Sequence, residues 1–140
     1  MRMRTYAILS LMVFLAGCAS VPHTTRTGEI HEIRIEEQPS HQTMVIQVGD
    51  EIRWINLRLK PVWIEFNPDA TRSFSCQKGF SNRLKKKRAY TSLKMGQSAS
   101  LCFSKNGVYK YNIRMKAPVP GGEIIVPAII NVGPLPQPEY

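Results

Sequence analysis

The stretch Val48-Gly-Asp-Glu-Ile-Arg-Trp-Ile-Asn56 decides how this chain folds. Gly49-Asp50 is a turn signal. Behind it, Glu51 to Asn56 alternates, with Ile52 and Trp54 on one face, the period of a β-strand. Segments of the same kind lie on both sides. Upstream, Ile30 to Ile35 puts Ile33 and Ile35 on one face, with His31, Glu32 and Arg34 less buried; Gln38-Pro-Ser-His41 breaks the chain, and Met44 to Val48 is a second strand. Downstream, Val62 to Phe66 follows Pro61 and stops at Asn67-Pro68. Ser98 to Phe103 turns Ala99, Leu101 and Phe103 inward; Lys105-Asn106-Gly107 is a turn before the strand Val108 to Ile113. Gly121 to Val126 and Ile129 to Val132 read as two closing strands. Between them, Asp69 to Tyr90 is a long, polar, basic connection with room for a helical turn near Phe80 to Lys87.

The composition agrees with this reading. A chain of 140 residues holds one domain. With 43% hydrophobic and 21% charged residues, it is neither disordered by composition nor polytopic in a membrane. Its 10 prolines and 9 glycines suit strands and turns. No repeat is visible, and no long helix-period segment follows the first residues.

The N-terminus reads as an address. Arg2 and Arg4 precede the apolar run Ala7 to Leu15, the layout of a secretory signal. The run is too short to span a bilayer, which takes about 20 residues. Leu15-Ala-Gly-Cys18 resembles the lipobox of bacterial lipoproteins. The resemblance implies cleavage before Cys18 and a diacylglycerol thioether with an N-acyl chain such as palmitate. Two or three acyl chains hold a protein on a membrane, where one gives only marginal binding. Ala19 and Ser20 lack the acidic residue that retains such lipoproteins at the inner membrane, which implies an outer-membrane anchor facing the periplasm. The expected organisation is a signal peptide at 1–17, a lipidated tether at 18–28, a sandwich domain at 29–134 and a short tail at 135–140. The chain carries a formal charge of +9, and loss of Arg2 and Arg4 leaves the mature protein still basic.

Cys76 and Cys102 remain as a pair in an oxidising compartment, so a disulfide is the leading reading. It would close a loop of roughly 26 residues and contribute on the order of 3 kcal/mol by chain-entropy arithmetic. Free thiols or soft-metal ligands are the alternative, but neither cysteine lies in a CxxC or beside a histidine.

The order of motifs resembles that of cupredoxins. Gly49-Asp50 through Trp54 and Asn56 resembles their V-x-x-G-D-x-V-x-W-x-N stretch. Lys94 to Phe103 looks like the L-x-P-G-x-S-x-S-x-x-F strand, with Met95 where proline is common. Gly107-Val-Tyr-Lys-Tyr111 is similar to the G-x-Y-x-Y/F strand before the metal loop, and Gly122 to Val126 to the closing G-x-I-x-V strand. The resemblance runs from about residue 30 to 133 and implies an all-β, cupredoxin-like Greek-key β-sandwich.

The family's chemistry does not carry over. A blue-copper site takes two histidines, a cysteine thiolate and usually an axial methionine. Where the first histidine would follow Pro61 stands Val62, and Tyr111 to Arg114 leads to neither cysteine nor histidine before Gly121. His23, His31 and His41 all fall early. Met115 lies near the axial position without equatorial partners. No cofactor is therefore expected. The alternative is transient copper handling through Met44, Met95, Met115, His41 or cysteine, against the plainer reading that methionines fill core gaps.

Arg83, Lys85, Lys86, Lys87 and Arg88 crowd the long connection. Such a run attracts anionic surfaces, at about 1 kcal/mol per cation near a charged leaflet; a solvated loop without a partner is the competing reading. A periplasmic address argues against nucleic acid, leaving the membrane, an anionic envelope component or another envelope protein as partners. Trp54 reads as core and Trp63 as exposed or loop-covered, while Phe74 and Phe80 pack the segment around Cys76. The motifs of catalysis are missing; His31 beside Glu29 and Glu32 is the nearest acid–base group, and a strand-edge histidine explains it. The expected function is a non-catalytic binding or envelope-interaction module.

Overall fold

In the computed structural model, which describes residues 28–134, Glu51–Asn56 forms β3, with Ile52 and Trp54 fully buried. Gly49 sits at φ 91°, a backbone that favours glycine, and this lets the chain reverse ahead of Asp50. The other strands are β1 (Ile30–Ile35), β2 (Thr43–Ile46), β4 (Val62–Phe66), β5 (Phe74–Lys78), β6 (Tyr90–Leu93), β7 (Ser98–Phe103), β8 (Gly107–Lys116) and β9 (Glu123–Val132). A short 3-10 turn, Pro68–Ser73, links β4 to β5 and is capped by the Asn67 side chain accepting from the Asp69 N–H. The segments expected to be a signal peptide at 1–17 and a lipidated tether at 18–28 lie outside the described residues except for Gly28, as does the tail at 135–140.

Two mixed sheets face each other, in the orders β1-β3-β7-β5 and β2-β9-β8-β4-β6. Up to β8, every connection crosses from one sheet to the other; β8 and β9 form a hairpin within a sheet. Two parallel pairings result, β1 with β3 and β2 with β9. Because the chain crosses at almost every turn, each strand contributes one inward face to a single core. Trp54 lies in its middle. Its ring meets Phe66, Phe80 and Tyr111 edge-on at centroid distances of 6.0, 5.7 and 5.6 Å, contacts of about 0.5–1.5 kcal/mol each beyond burial.

Strands β1, β3, β4 and β7 fall where alternation places them. Strand β8 runs past its expected end at Ile113 to Lys116, and four further details differ. The connection after Asp69, expected as a long loop, carries two strands, β5 and β6. In β5 the register shifts between Phe74 and Gln77, so its alternation is broken, and β6 is a four-residue edge strand. Near Phe80 to Lys87 there is no helical turn; Ser81 and Lys87 bridge instead. The two closing strands are one, β9, running through Pro127. Pro127 falls in the half of β9 that β2 does not reach, where a missing N–H breaks no second ladder. Finally, β2 ends at Ile46, leaving Val48 exposed in the turn.

The disulfide between Cys76 and Cys102 is present, with Cα atoms 4.8 Å apart. On β7, Ala99, Leu101 and Phe103 point into the core, so Cys102 belongs to the opposite face. The bridge therefore staples β5 to β7 on the outside of the four-stranded sheet, at the register shift where the ladder is weakest.

Candidate functional site

The strand registers give the sandwich two poles. The near pole, where the described chain begins at Gly28, carries the turns at 47–50 and 104–106. The far pole carries the loops at 57–61, 94–97 and 117–122.

The far pole is where the cupredoxin resemblance would place copper. Asn56 organises it: wholly buried, its Nδ2 donates to the carbonyls of Leu93 at 2.8 Å and Lys60 at 3.1 Å, and its Oδ1 accepts from the Arg58 N–H at 2.8 Å. This fixes the β3–β4 loop so that Arg58 reaches across to the end of β8. Its Nη1 donates to Met115 Sδ at 3.2 Å and its Nη2 to the Lys116 carbonyl at 2.9 Å. Lys60 Nζ donates to the Ala117 carbonyl at 3.1 Å. One cation thus stands on the one family-like ligand position and a second ties down the loop that follows β8, and Met115 is otherwise sealed in the core. Of the other candidate donors, Cys102 is in the disulfide, His31 lies against Asp50, His41 Nδ1 against Ser40 Oγ and Met44 packs on the core, while Met95 stands exposed. Among the described residues no three His, Cys, Asp or Glu side chains cluster. The residues do not fit a type 1 copper ion. Sequence reading missed Arg58 and Lys60, since a cation is not a ligand type, although both flank the W-x-N strand.

At the near pole, Asp50 gathers the start of the chain. Its Oδ1 accepts from the Glu29 N–H at 3.0 Å, and its Oδ2 accepts from the Gln47 N–H at 2.9 Å and lies 3.1 Å from His31 Nε2. Burial pushes the Asp50 carboxyl up, but the Gln47 and Glu29 amides and His31 together outweigh it and hold it below the ordinary value. His31 is therefore half-buried on the Asp50 carboxylate, in the turn ahead of β3, and not grouped with its sequence neighbours Glu29 and Glu32.

The basic run forms a tight turn on the side of the sandwich between β5 and β6. Asn82 pins it: Oδ1 accepts from the N–H groups of Leu84 at 3.0 Å and Lys86 at 2.9 Å, while its backbone bonds Lys85 and Lys86. Lys85 takes φ 58° at the apex. The run divides in two. Lys87 Nζ donates to the Phe74 carbonyl at 2.6 Å, and the Arg88 guanidinium lies 5.6 Å from the centre of the Tyr90 ring. Arg83, Lys85 and Lys86 are exposed, and their side chains make no hydrogen bond or ion pair among the described residues. The spacing of charges was visible in sequence; the division was not, because it depends on where β5 begins.

On the outer face of the five-stranded sheet, Arg114 bridges Glu65 at 2.7 Å and Glu123 at 2.8 Å. These bonds, Glu123 first, raise the Arg114 guanidinium further above its already high value. An open groove of about 600 Å³ lies beside them, lined by Glu65, Asn67, Lys110, Asn112 and Pro127. Trp63 is half-buried on the same face.

No protein-family model matches the chain, and no curated protein matches it. Among solved structures it is similar to amicyanin variants. One in the Cu(I) form is 20% identical, over 74% of this chain and 82% of that one, with a TM-score of 0.48. A second Cu(I) form is 21% identical over 76% and 83%, at 0.49, and an oxidised form 20% identical over 76% and 83%, at 0.49. The described domain is a cupredoxin-like β-sandwich: the four motifs quoted above fall on β3, β7, β8 and β9 of two mixed sheets.

Proposed function

We propose that this is a lipid-anchored envelope protein whose sandwich is a non-catalytic binding module working against an anionic surface. The reading assigns lipidation to Cys18 and places the domain in the periplasm beneath the outer membrane, with no copper in its far pole. The observation that carries it is the Asn82-pinned turn. A partnerless basic run is expected to be loose, because like charges repel. Here the backbone is tied by its own hydrogen bonds, and Arg83, Lys85 and Lys86 are held outward with their charge uncommitted. A fixed cationic projection loses little conformational freedom when it meets phosphate groups.

The test uses the chain from Ala19 onward, which keeps both sheets, the core and the disulfide and is thus a complete folding unit. It should co-sediment with phosphatidylglycerol-containing vesicles at low salt, release as salt rises, and lose binding when Arg83, Lys85 and Lys86 are all changed to Ser. Unchanged sedimentation of that variant would overturn the surface reading. In cells, labelling with an alkyne fatty acid should vanish on Cys18→Ala. An intense blue absorption on adding cupric ion, the mark of a thiolate-bound site, would overturn the copper-free reading.

A further inference from the structure

Leu84 stands at the tip of the basic turn, 77% exposed, between Arg83 and Lys85. Among the described residues nothing covers this side chain. Single exposed leucines are ordinary, and the chain supplies its own comparison. At the far pole Arg58-Leu59-Lys60 repeats the Arg-Leu-Lys sequence, and Leu59 is 84% exposed. There the flanking cations are spent on Met115 Sδ and the carbonyls of Lys116 and Ala117. At Leu84 they are not. The two leucines are equally bare, but only one is ringed by cations available to a partner.

A soluble polyanion offers nothing to a leucine. A bilayer offers both phases: phosphates for the cations and acyl chains about 5–10 Å below them for the apolar tip. Long basic side chains keep their charge at the headgroups while their stems lie along apolar surface. The location also fits. Lys87 is tied to the Phe74 carbonyl, Phe74 pairs with Phe103, and Phe103 accepts from the Gly49 N–H, in the turn that holds the start of the described chain. The root of the basic turn is therefore at the near pole, across the sheet order β1-β3-β7-β5 from Gly28. That is three strand spacings, about 14 Å. The stretch from Cys18 to Gly28 reaches at most about 35 Å, so an anchor at Cys18 and the turn can meet one membrane.

We propose that the turn at 83–86 is an interfacial wedge, in which Leu84 enters the acyl region of an anionic phospholipid bilayer while Arg83, Lys85 and Lys86 lie among its phosphates. The proposal rests on the reading that this turn meets an anionic surface, and narrows that surface to a bilayer.

The experiment uses the chain from Ala19 onward with vesicles of phosphatidylcholine containing phosphatidylglycerol, and with inorganic polyphosphate. The uncharged variant Leu84→Asn should weaken vesicle binding about tenfold, the partial loss of one buried leucine, whereas Leu59→Asn should leave it unchanged. In Leu84→Trp, tryptophan emission should shift to the blue on vesicle binding and be quenched by brominated acyl chains, over the unchanged signal of the native tryptophans. If the Ser-substituted turn loses vesicle binding but Leu84→Asn does not and Trp emission stays unshifted, the wedge is wrong and the anionic-surface reading stands. Polyphosphate binding as tight as vesicle binding, and indifferent to Leu84→Asn, overturns the wedge in favour of a polyanion site. No binding by the unsubstituted chain removes both readings.

Discussion

Trp54 Nε1 donates to Tyr111 Oη at 3.3 Å, joining β3 of one sheet to β8 of the other inside the core. Both residues belong to the motifs that made the fold legible, and the structure gives them a physical reason: an indole N–H buried between sheets needs an acceptor. Tyr111→Phe leaves that donor unsatisfied and should destabilise the domain by about 1–3 kcal/mol, read as a lower urea midpoint with an unchanged slope.

The same tyrosine sets a limit at high pH. Burial, only partly offset by the Trp54 hydrogen bond, pushes the Tyr111 phenol up to about 12 from 10.0. The folded value exceeds the unfolded one, so the stabilisation is complete below pH 10 and is lost as pH rises through 12. Absorbance titration should show one late tyrosine, and Tyr111→Phe should flatten the fall in stability across that window. A tyrosinate absorbance that rises in one step near the ordinary value would contradict the assignment.

Asp50 has the opposite sign. Its folded carboxyl lies below the ordinary value of 3.8, so its contribution is present above that pH and fades as pH falls further. Asp50→Ala removes the acceptor for Glu29, Gln47 and His31 at once and should cost about 2–4 kcal/mol at neutral pH, with the difference from wild type shrinking in acid. Amide exchange should speed up at Glu29 and Gln47 before it does in the core strands.

How much of this was readable beforehand follows from what alternation can encode. The inward triplets Val62, Ile64, Phe66 and Ala99, Leu101, Phe103 are strictly periodic, and each lies wholly in the core or nearly so. Strand β5 offers one large apolar residue and a register shift, and it is held by a disulfide that sequence could propose but not place. Lys87 looked like its neighbours because its partner is a backbone carbonyl, invisible to any pattern of side chains. The Arg58–Met115 contact was hidden for a different reason: it joins two elements through a loop whose path Asn56 fixes. Absence of copper ligands could be read from residue identity alone; what stands in their place could not.

The disulfide compensates for the broken ladder of β5. Cys76→Ser with Cys102→Ser should lower stability on the order of 3 kcal/mol and loosen β5 first, exposing the edge that β7 presents. Native protein should give no free thiol from this pair, and Cys76→Ser alone should release one at Cys102.

Lys86 and Lys87 are adjacent, alike in sequence and opposite in role. Lys87 closes the turn onto the Phe74 carbonyl at 2.6 Å, so Lys87→Met should cost about 0.5–1.5 kcal/mol of stability while vesicle affinity changes little. Lys86 gives the turn only its backbone N–H and carbonyl, so Lys86→Ser should leave the urea midpoint in place and weaken vesicle binding about fivefold, as expected for one cation near a charged leaflet. Measured together, the two variants separate the charge that builds the turn from the charge that the turn presents. If both lowered affinity equally and neither touched stability, the division of the basic run would be wrong.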